Sequence, residues 1–249
     1  MIHSTLKVSI VAAETQFIDS SEQTRSQEKL AIFLAFIAGY LDATGFLKWK
    51  VYVSFISGNS TQLGIALSSG KLNILISSLS VIGCFVFGIY AGTCISLWRE
   101  SKIQTLPFYI VSGILIVYTM ASNYYTINNG LSIPIILFST GVMNTIVTTV
   151  GDQKINTDFV TGTLNSLARN TAMLSLSRNK NSRKFYKLNA LRLLLLWIGF
   201  LLGASVVPLM LPLLKNWTLI LPAALLNICA LLLLITDFNL KNKSYAEEK

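Results

Sequence analysis

The chain has 249 residues, of which 53% are hydrophobic and 12% are charged, and its mean hydropathy is +0.60. Soluble domains hold about 45–50% apolar and about 25% charged residues, so this composition excludes an ordinary water-soluble globular protein. The net charge of +9 does not indicate nucleic-acid binding, because the basic residues lie in short links between apolar runs.

Residues 1–29 mix charged side chains with Ser, Thr and Gln and lack the apolar core of a signal peptide. We interpret them as a mobile cytoplasmic tail. Eight apolar runs follow, most of them near the length that crosses a bilayer core of about 30 Å. They are A (30–47), B (52–69), C (73–98), D (107–124), A′ (131–150), B′ (159–176), C′ (188–214) and D′ (217–235).

Two polar motifs of the first half return in the second half in the same order. GYLDA at 39–43 is echoed by GVMNT at 141–145, and SFISGN at 54–59 is echoed by DFVTGT at 158–163. The repetition predicts one membrane domain over 30–236, with one repeat at 30–125 and another at 131–236. Residues 237–249 then form a second cytoplasmic tail.

The topology depends on whether B and B′ cross the membrane. If neither crosses, the basic links at 99–102, 154 and 178–187 lie inside, and Lys48, Lys50, Lys71 and Lys215 lie outside. If all eight runs cross, this bias weakens and the halves are parallel. We therefore predict an all-α integral membrane bundle of about six spans plus two short broken or re-entrant helices. Three spans per half give an inverted internal repeat with both termini in the cytoplasm.

Asp42 lies within run A, where an ionised carboxylate costs of order 2.5–3.5 kcal/mol by insertion scales. It must therefore face protein, water or an ion. Two roles stay open: coupling to a proton or solute, and a structural contact that holds A to B.

Runs B and B′ carry matching small and polar residues that lipid would solvate poorly. Glycine permits a helix to break, and backbone N–H groups at the broken end bind an anion or a dipolar solute. The alternative is a tight helix contact between small residues. The predicted substrate-binding residues are Asp42, Ser57, Gly58, Asn59, Thr61, Asn144, Thr161, Gly162, Thr163 and Asn165.

Catalytic and metal-binding residues are not indicated. Cys84, Cys94 and Cys229 lack CxxC spacing, and His3 is the only histidine. We therefore predict no metal site, no cofactor and no enzymatic activity. Asp152, Asp158 and Arg169 lie at the ends of their runs, where water or head groups solvate them.

With GYLDATGF at 39–46 and VSFISGNSTQLG at 53–64, the chain resembles the YoaK family of uncharacterised bacterial membrane proteins. The resemblance covers about 30–235. It implies a multi-pass protein of the bacterial inner (cytoplasmic) membrane, from a family provisionally described as small-molecule transporters. No substrate and no catalytic residue come with it.

The leading hypothesis is a transporter or facilitator with a central polar site between its two halves. Its partners would be an unidentified small solute and the lipid bilayer, with homo-oligomerisation left open and nucleic acid excluded. One alternative is a membrane-embedded interaction or sensory protein without transport. An intramembrane protease ranks below both. A Ser57 nucleophile would lack a histidine base within the runs, and Asp42 lies toward the outer side whereas Asp152 lies at the inner end, too far apart for an aspartyl pair that shares a proton.

Overall fold

The computed structural model describes residues 27–98, 105–146, 149–150, 153–154 and 160–247. Within them the chain forms eight α-helices, a short 3-10 helix at Lys215–Leu219 and a hairpin of two strands, β1 (Thr149–Val150) and β2 (Gln153–Lys154). The helices are α1 (Gln27–Trp49), α2 (Ile56–Ser69), α3 (Leu72–Trp98), α4 (Leu106–Tyr124), α5 (Asn129–Met143), α6 (Val160–Leu176), α7 (Lys180–Leu214) and α8 (Ile220–Glu247).

Four segments of the described chain are long and apolar enough to cross a membrane: Gln27–Trp49, Leu72–Leu97, Leu106–Tyr124 and Lys180–Ile235. The last contains both α7 and most of α8. The prediction of an all-α membrane protein is confirmed at this level. The tail predicted over 1–29 lies outside the described residues except for its last three, which form the first turn of α1.

Run A′ differs from its prediction as a helix that continues to residue 150. Helix α5 ends at Met143, and residues 149–150 pair with 153–154 instead. The segment 145–150 reads TIVTTV, and such β-branched residues favour extended backbone. With 15 residues, α5 is about 22 Å long, less than the bilayer core.

Runs B and B′ form short helices, as predicted. Residues 51–55 are not helical, and α2 follows with 14 residues until Gly70, whose φ of 66° ends it. Helix α6 has 17 residues. At 1.5 Å per residue these helices are about 21 and 26 Å long.

The last two helices extend beyond the predicted runs. Helix α7 begins at Lys180, ahead of run C′, because the Asn179 side chain accepts a hydrogen bond from the Asn181 N–H and caps it. Helix α8 continues past residue 235 to Glu247, so part of the predicted second tail is helical.

Helices α1 and α7 approach each other closely through glycine. A Cβ atom on Gly39 would overlap the carbonyl oxygen of Phe200, and a Cβ atom on Gly203 would overlap that of Phe36. Small residues let membrane helices meet backbone to backbone, so the two helices are joined firmly.

Helices α3 and α5 meet in the same way. A Cβ atom on Gly141 would overlap the carbonyl oxygen of Phe85, and a Cβ atom on Gly88 would overlap that of Phe138. Helix α4 packs on α8, α2 on α3, and α6 on α7. Buried aliphatic residues of α1, α4, α5 and α8 fill the core, among them Leu34, Ile37, Leu115, Ile136 and Leu226.

One end of the bundle is held by polar contacts to the turn between α7 and α8. Lys48 donates from Nζ to the Lys215 carbonyl oxygen at 3.0 Å, and Asn216 donates from Nδ2 to the Ser122 carbonyl oxygen at 3.2 Å. The end of α1, the end of α4 and the α7–α8 turn therefore lie together.

Candidate functional site

The Asp42 carboxylate binds the chain segment that precedes α2. Its Oδ1 accepts hydrogen bonds from the backbone N–H groups of Val53 and Ser54, both at 2.8 Å. Asp42 is 7% exposed. Two N–H donors on one carboxylate oxygen stabilise the charged form in an apolar surrounding, and the contact holds residues 51–55 in a non-helical path beside α1.

The same segment is bound by the second half of the chain. Thr140 of α5 donates from Oγ1 to the Val53 carbonyl oxygen at 2.9 Å, in a buried contact. Val53 is thus held at its N–H by α1 and at its carbonyl by α5. The two polar groups that a non-helical residue leaves inside a membrane bundle are both satisfied.

Asn59 closes the first turn of α2 onto this segment. Its side chain is buried, and Nδ2 donates to the Tyr52 carbonyl oxygen at 3.1 Å. Gly58 lies beside the Phe55 ring, where a Cβ atom would come within 2.9 Å of the ring carbons. Gly58 and Asn59 therefore serve the turn into α2.

The other predicted site residues on α2 and α6 lie at or near the surface of the bundle. Ser57 and Thr61 on α2 are exposed, as are Thr161 and Asn165 on α6, whereas Gly162 and Thr163 are half-buried. Within the described chain α2 packs on α3 and α6 on α7, with no extensive packing between α2 and α6. The structure thus groups Asp42 with Asn59, and leaves the two polar helix faces apart.

Hydroxyl groups along α2 donate hydrogen bonds to backbone carbonyl oxygens of the same helix. Ser60 donates to the Ile56 carbonyl oxygen at 3.0 Å, and Thr61 donates to that of Ser57 at 3.1 Å. Their lone pairs are left for a solvent or solute donor. At the centre of the apolar helix α3, by contrast, the apolar side chain of Val86 is 56% exposed.

Asn144 follows α5 at the position that matches Asp42 in the repeated motif. Its Oδ1 is buried and has no hydrogen-bond partner within the described part of the chain. Residues 155–159, which match the segment bound by Asp42, lie outside the described residues, as do Asp152 and Asp158.

Carboxylates are scarce among the side chains that the structure describes. Apart from Asp42 the described range up to residue 235 contains Glu28, which forms an ion pair with Arg192 at 2.5 Å. Glu28 is therefore paired with a cation, and Asp42 is bound by backbone N–H groups.

Sequence reasoning missed Thr140 and the role of the phenylalanines beside the packed glycines. The position of Thr140 next to Gly141 of the repeated motif could have drawn attention to its hydroxyl group. Its hydrogen-bond acceptor, however, is the carbonyl oxygen of Val53, 87 positions earlier in the chain. Such a contact follows from the packing of α1 and α5, which local pattern does not specify.

A family model described as "Protein of unknown function (DUF1275)" matches residues 30–232. The match spans nearly all of the membrane bundle and includes both repeated motifs, which confirms the family resemblance drawn from them. No curated protein and no solved structure matches the chain.

Proposed function

We propose that this chain, which belongs to the DUF1275 family, passes a small polar solute across the bacterial cytoplasmic membrane, without catalysing a reaction, along polar faces contributed by two inverted halves. The observation that carries the proposal is the exposed polar face on each of the short helices α2 and α6. Hydrocarbon solvates hydroxyl and amide groups poorly, so these faces require water beside them.

Corresponding glycine contacts support the inverted repeat. A shift of 102 positions relates Gly39 and Phe36 to Gly141 and Phe138, and a shift of 115 relates Phe85 and Gly88 to Phe200 and Gly203. Under these shifts the α1–α7 contacts and the α5–α3 contacts correspond one to one. A chance resemblance of motifs would not reproduce both pairs of backbone contacts.

A contact between equivalent positions also supports the repeat. Ser112 of α4 donates from Oγ to Oδ1 of Asn227 in α8 at 3.2 Å. These positions are related by the same shift of 115. If a two-fold axis relates the two halves, equivalent residues contact each other only close to that axis. We therefore infer that the axis passes between α4 and α8.

The polar end of the bundle supports re-entrant paths for B and B′. In the six-span order the link after α4 and the turn after α7 lie on the same side, and in the eight-span order they lie on opposite sides. The bond from Asn216 to the Ser122 carbonyl oxygen favours the six-span order. With the basic 178–187 link inside, both termini are cytoplasmic.

Asp42 has a defined part in this proposal. By binding the N–H groups of Val53 and Ser54, it stabilises the non-helical segment from which α2 starts inside the bundle. Discontinuous helices of this kind form solute sites in transporters built from inverted repeats. Asp42 is then a positioning residue for the face that carries Ser57 and Thr61.

Water access to the two polar faces tests the proposal. In a variant whose three native cysteines are replaced, Thr61→Cys and Asn165→Cys are placed one at a time, with Val86→Cys at the centre of the apolar helix α3 as the control. We expect a membrane-impermeant thiol reagent to modify Thr61→Cys from the outside and Asn165→Cys from the cytoplasmic side of oriented vesicles. Val86→Cys should stay unmodified because lipid covers the centre of this membrane-spanning helix.

A second experiment measures solute flux in proteoliposomes. Asp42→Asn should lower this flux, because Asp42 positions the polar face of α2. Protection of both polar-face cysteines in the membrane would contradict the proposal. That result would favour the interaction or sensory protein, in which a partner covers the faces.

A further inference from the structure

We infer that the solute is a small anion, an inference that rests on the proposed function. The first ground is that no free carboxylate faces a passage among the described side chains. Asp42 binds two backbone N–H groups, and Glu28 binds Arg192. A route for cations would need acidic groups to replace part of the ion's hydration, and both acids that the structure describes up to residue 235 are already occupied.

The outer ends of the first re-entrant segment are basic. Lys50 precedes the segment, Lys71 follows the end of α2, and both are exposed. Residues 43–98 contain no Asp or Glu. The positive-inside rule places basic residues on the cytoplasmic side, so it does not account for lysines at the outer mouth.

The cytoplasmic mouth is basic through α6 and α7. Arg169 is exposed on the same face of α6 as Thr161 and Asn165, at successive intervals of four residues. The exposed residues Arg178, Lys180, Arg183, Lys184 and Lys187 follow. Residues 160–235 contain no Asp or Glu, and the six basic residues outnumber the two acids, Asp152 and Asp158, that precede α6 in the sequence.

The faces between the mouths carry neutral hydroxyl and amide groups, such as Thr61 and Asn165. Clefts lined by charge of one sign concentrate ions of the opposite sign, by about 10- to 1000-fold in on-rate. Basic mouths with neutral polar faces therefore favour entry of anions at both ends and disfavour entry of cations.

Paired thiol reagents of opposite charge measure this field without knowledge of the solute. The Thr61→Cys and Asn165→Cys variants are treated with a sulfonate-bearing and a trimethylammonium-bearing methanethiosulfonate of similar size. Each rate is divided by that of the same reagent with a free thiol in solution. We expect the anionic reagent to be favoured about tenfold at both positions, and less in high salt.

Charge substitutions identify the groups responsible. In the Asn165→Cys background, Arg169→Gln should reduce the preference severalfold. Lys29→Gln removes an equal charge from an exposed position at the cytoplasmic start of α1 and should leave the preference unchanged. Lys50→Gln with Lys71→Gln is the corresponding test for Thr61→Cys.

Proteoliposome flux completes the test with acetate and phosphate as anions, glycerol as a neutral solute and choline as a cation. Faster flux of either anion than of glycerol and choline supports the inference. Equal or cation-preferring modification rates, or flux of glycerol or choline alone, overturn it and leave the proposed passage intact. Failure of both reagents to react at either position would overturn the passage itself.

Discussion

Gly88 and Gly83 lie in the same helix and differ in what a methyl group would meet. A Cβ atom on Gly88 overlaps the Phe138 carbonyl oxygen, whereas one on Gly83 has no heavy atom within 4 Å. We therefore predict that Gly88→Ala destabilises the protein and that Gly83→Ala does not.

The two substitutions should change the free energy of unfolding in opposite directions. The overlap at Gly88 is with backbone, which does not rotate away, so α3 and α5 must separate at an overpacking cost of about 1–3 kcal/mol. At Gly83 alanine removes the flexibility of glycine in a helix and stabilises by about 0.5–1 kcal/mol. For a chain of this size about 1 kcal/mol shifts Tm by about 2–4 °C, so Gly88→Ala should lower Tm by about 2–12 °C.

Thermal unfolding of the purified protein in detergent, followed by the loss of its monodisperse chromatographic peak, measures both variants. Gly203→Ala should match Gly88→Ala, because Gly203 meets the Phe36 carbonyl oxygen in the corresponding α1–α7 contact. Equal Tm values for Gly83→Ala and Gly88→Ala would refute the close contact. A harmless Gly203→Ala beside a damaging Gly88→Ala would refute the correspondence between the two helix pairs.

Three further predictions use the same unfolding measurement. Thr140→Val should cost about 1 kcal/mol by removing the donor to the Val53 carbonyl oxygen, while Thr140→Ser keeps it; equal stability of the two variants would contradict the bond. Asp42→Ala should cost about 1–3 kcal/mol for each N–H left unpaired, and Asp42→Asn less, since its amide oxygen still accepts; the reverse order would contradict this role. Gly70→Ala should cost about 1–2 kcal/mol, because the backbone φ of 66° at this position is unfavourable for alanine. Gly64→Ala, with open space around it, should be neutral or stabilising. Similar losses of stability in both variants would exclude the left-handed helix cap at Gly70.

Apolar length and composition predicted most helices because the bilayer demands them. Long uninterrupted runs such as C and C′ became α3 and α7. The end of A′ was predicted wrongly because its β-branched residues are as apolar as a helix but prefer an extended backbone. Hydropathy does not separate these two cases.

The candidate site was predictable only in part. A carboxylate in an apolar run had to be satisfied, and Asp42 is indeed buried and bonded. Which groups satisfy it depends on where the following segment turns, and that turn is set jointly by α1 and α5 through Val53. The separation of the α2 and α6 faces likewise follows from tertiary packing, since each helix lies on the helix that succeeds it.

The close pairing of α1 with α7 has a consequence for biosynthesis. Phe200 is synthesised 161 residues after Gly39. The glycine surface of α1 therefore has no partner in the membrane until most of the protein has been made. Neither half of the gene product contains both members of either glycine-bound pair. Separately expressed halves should therefore be unstable alone and should assemble only when both are present together.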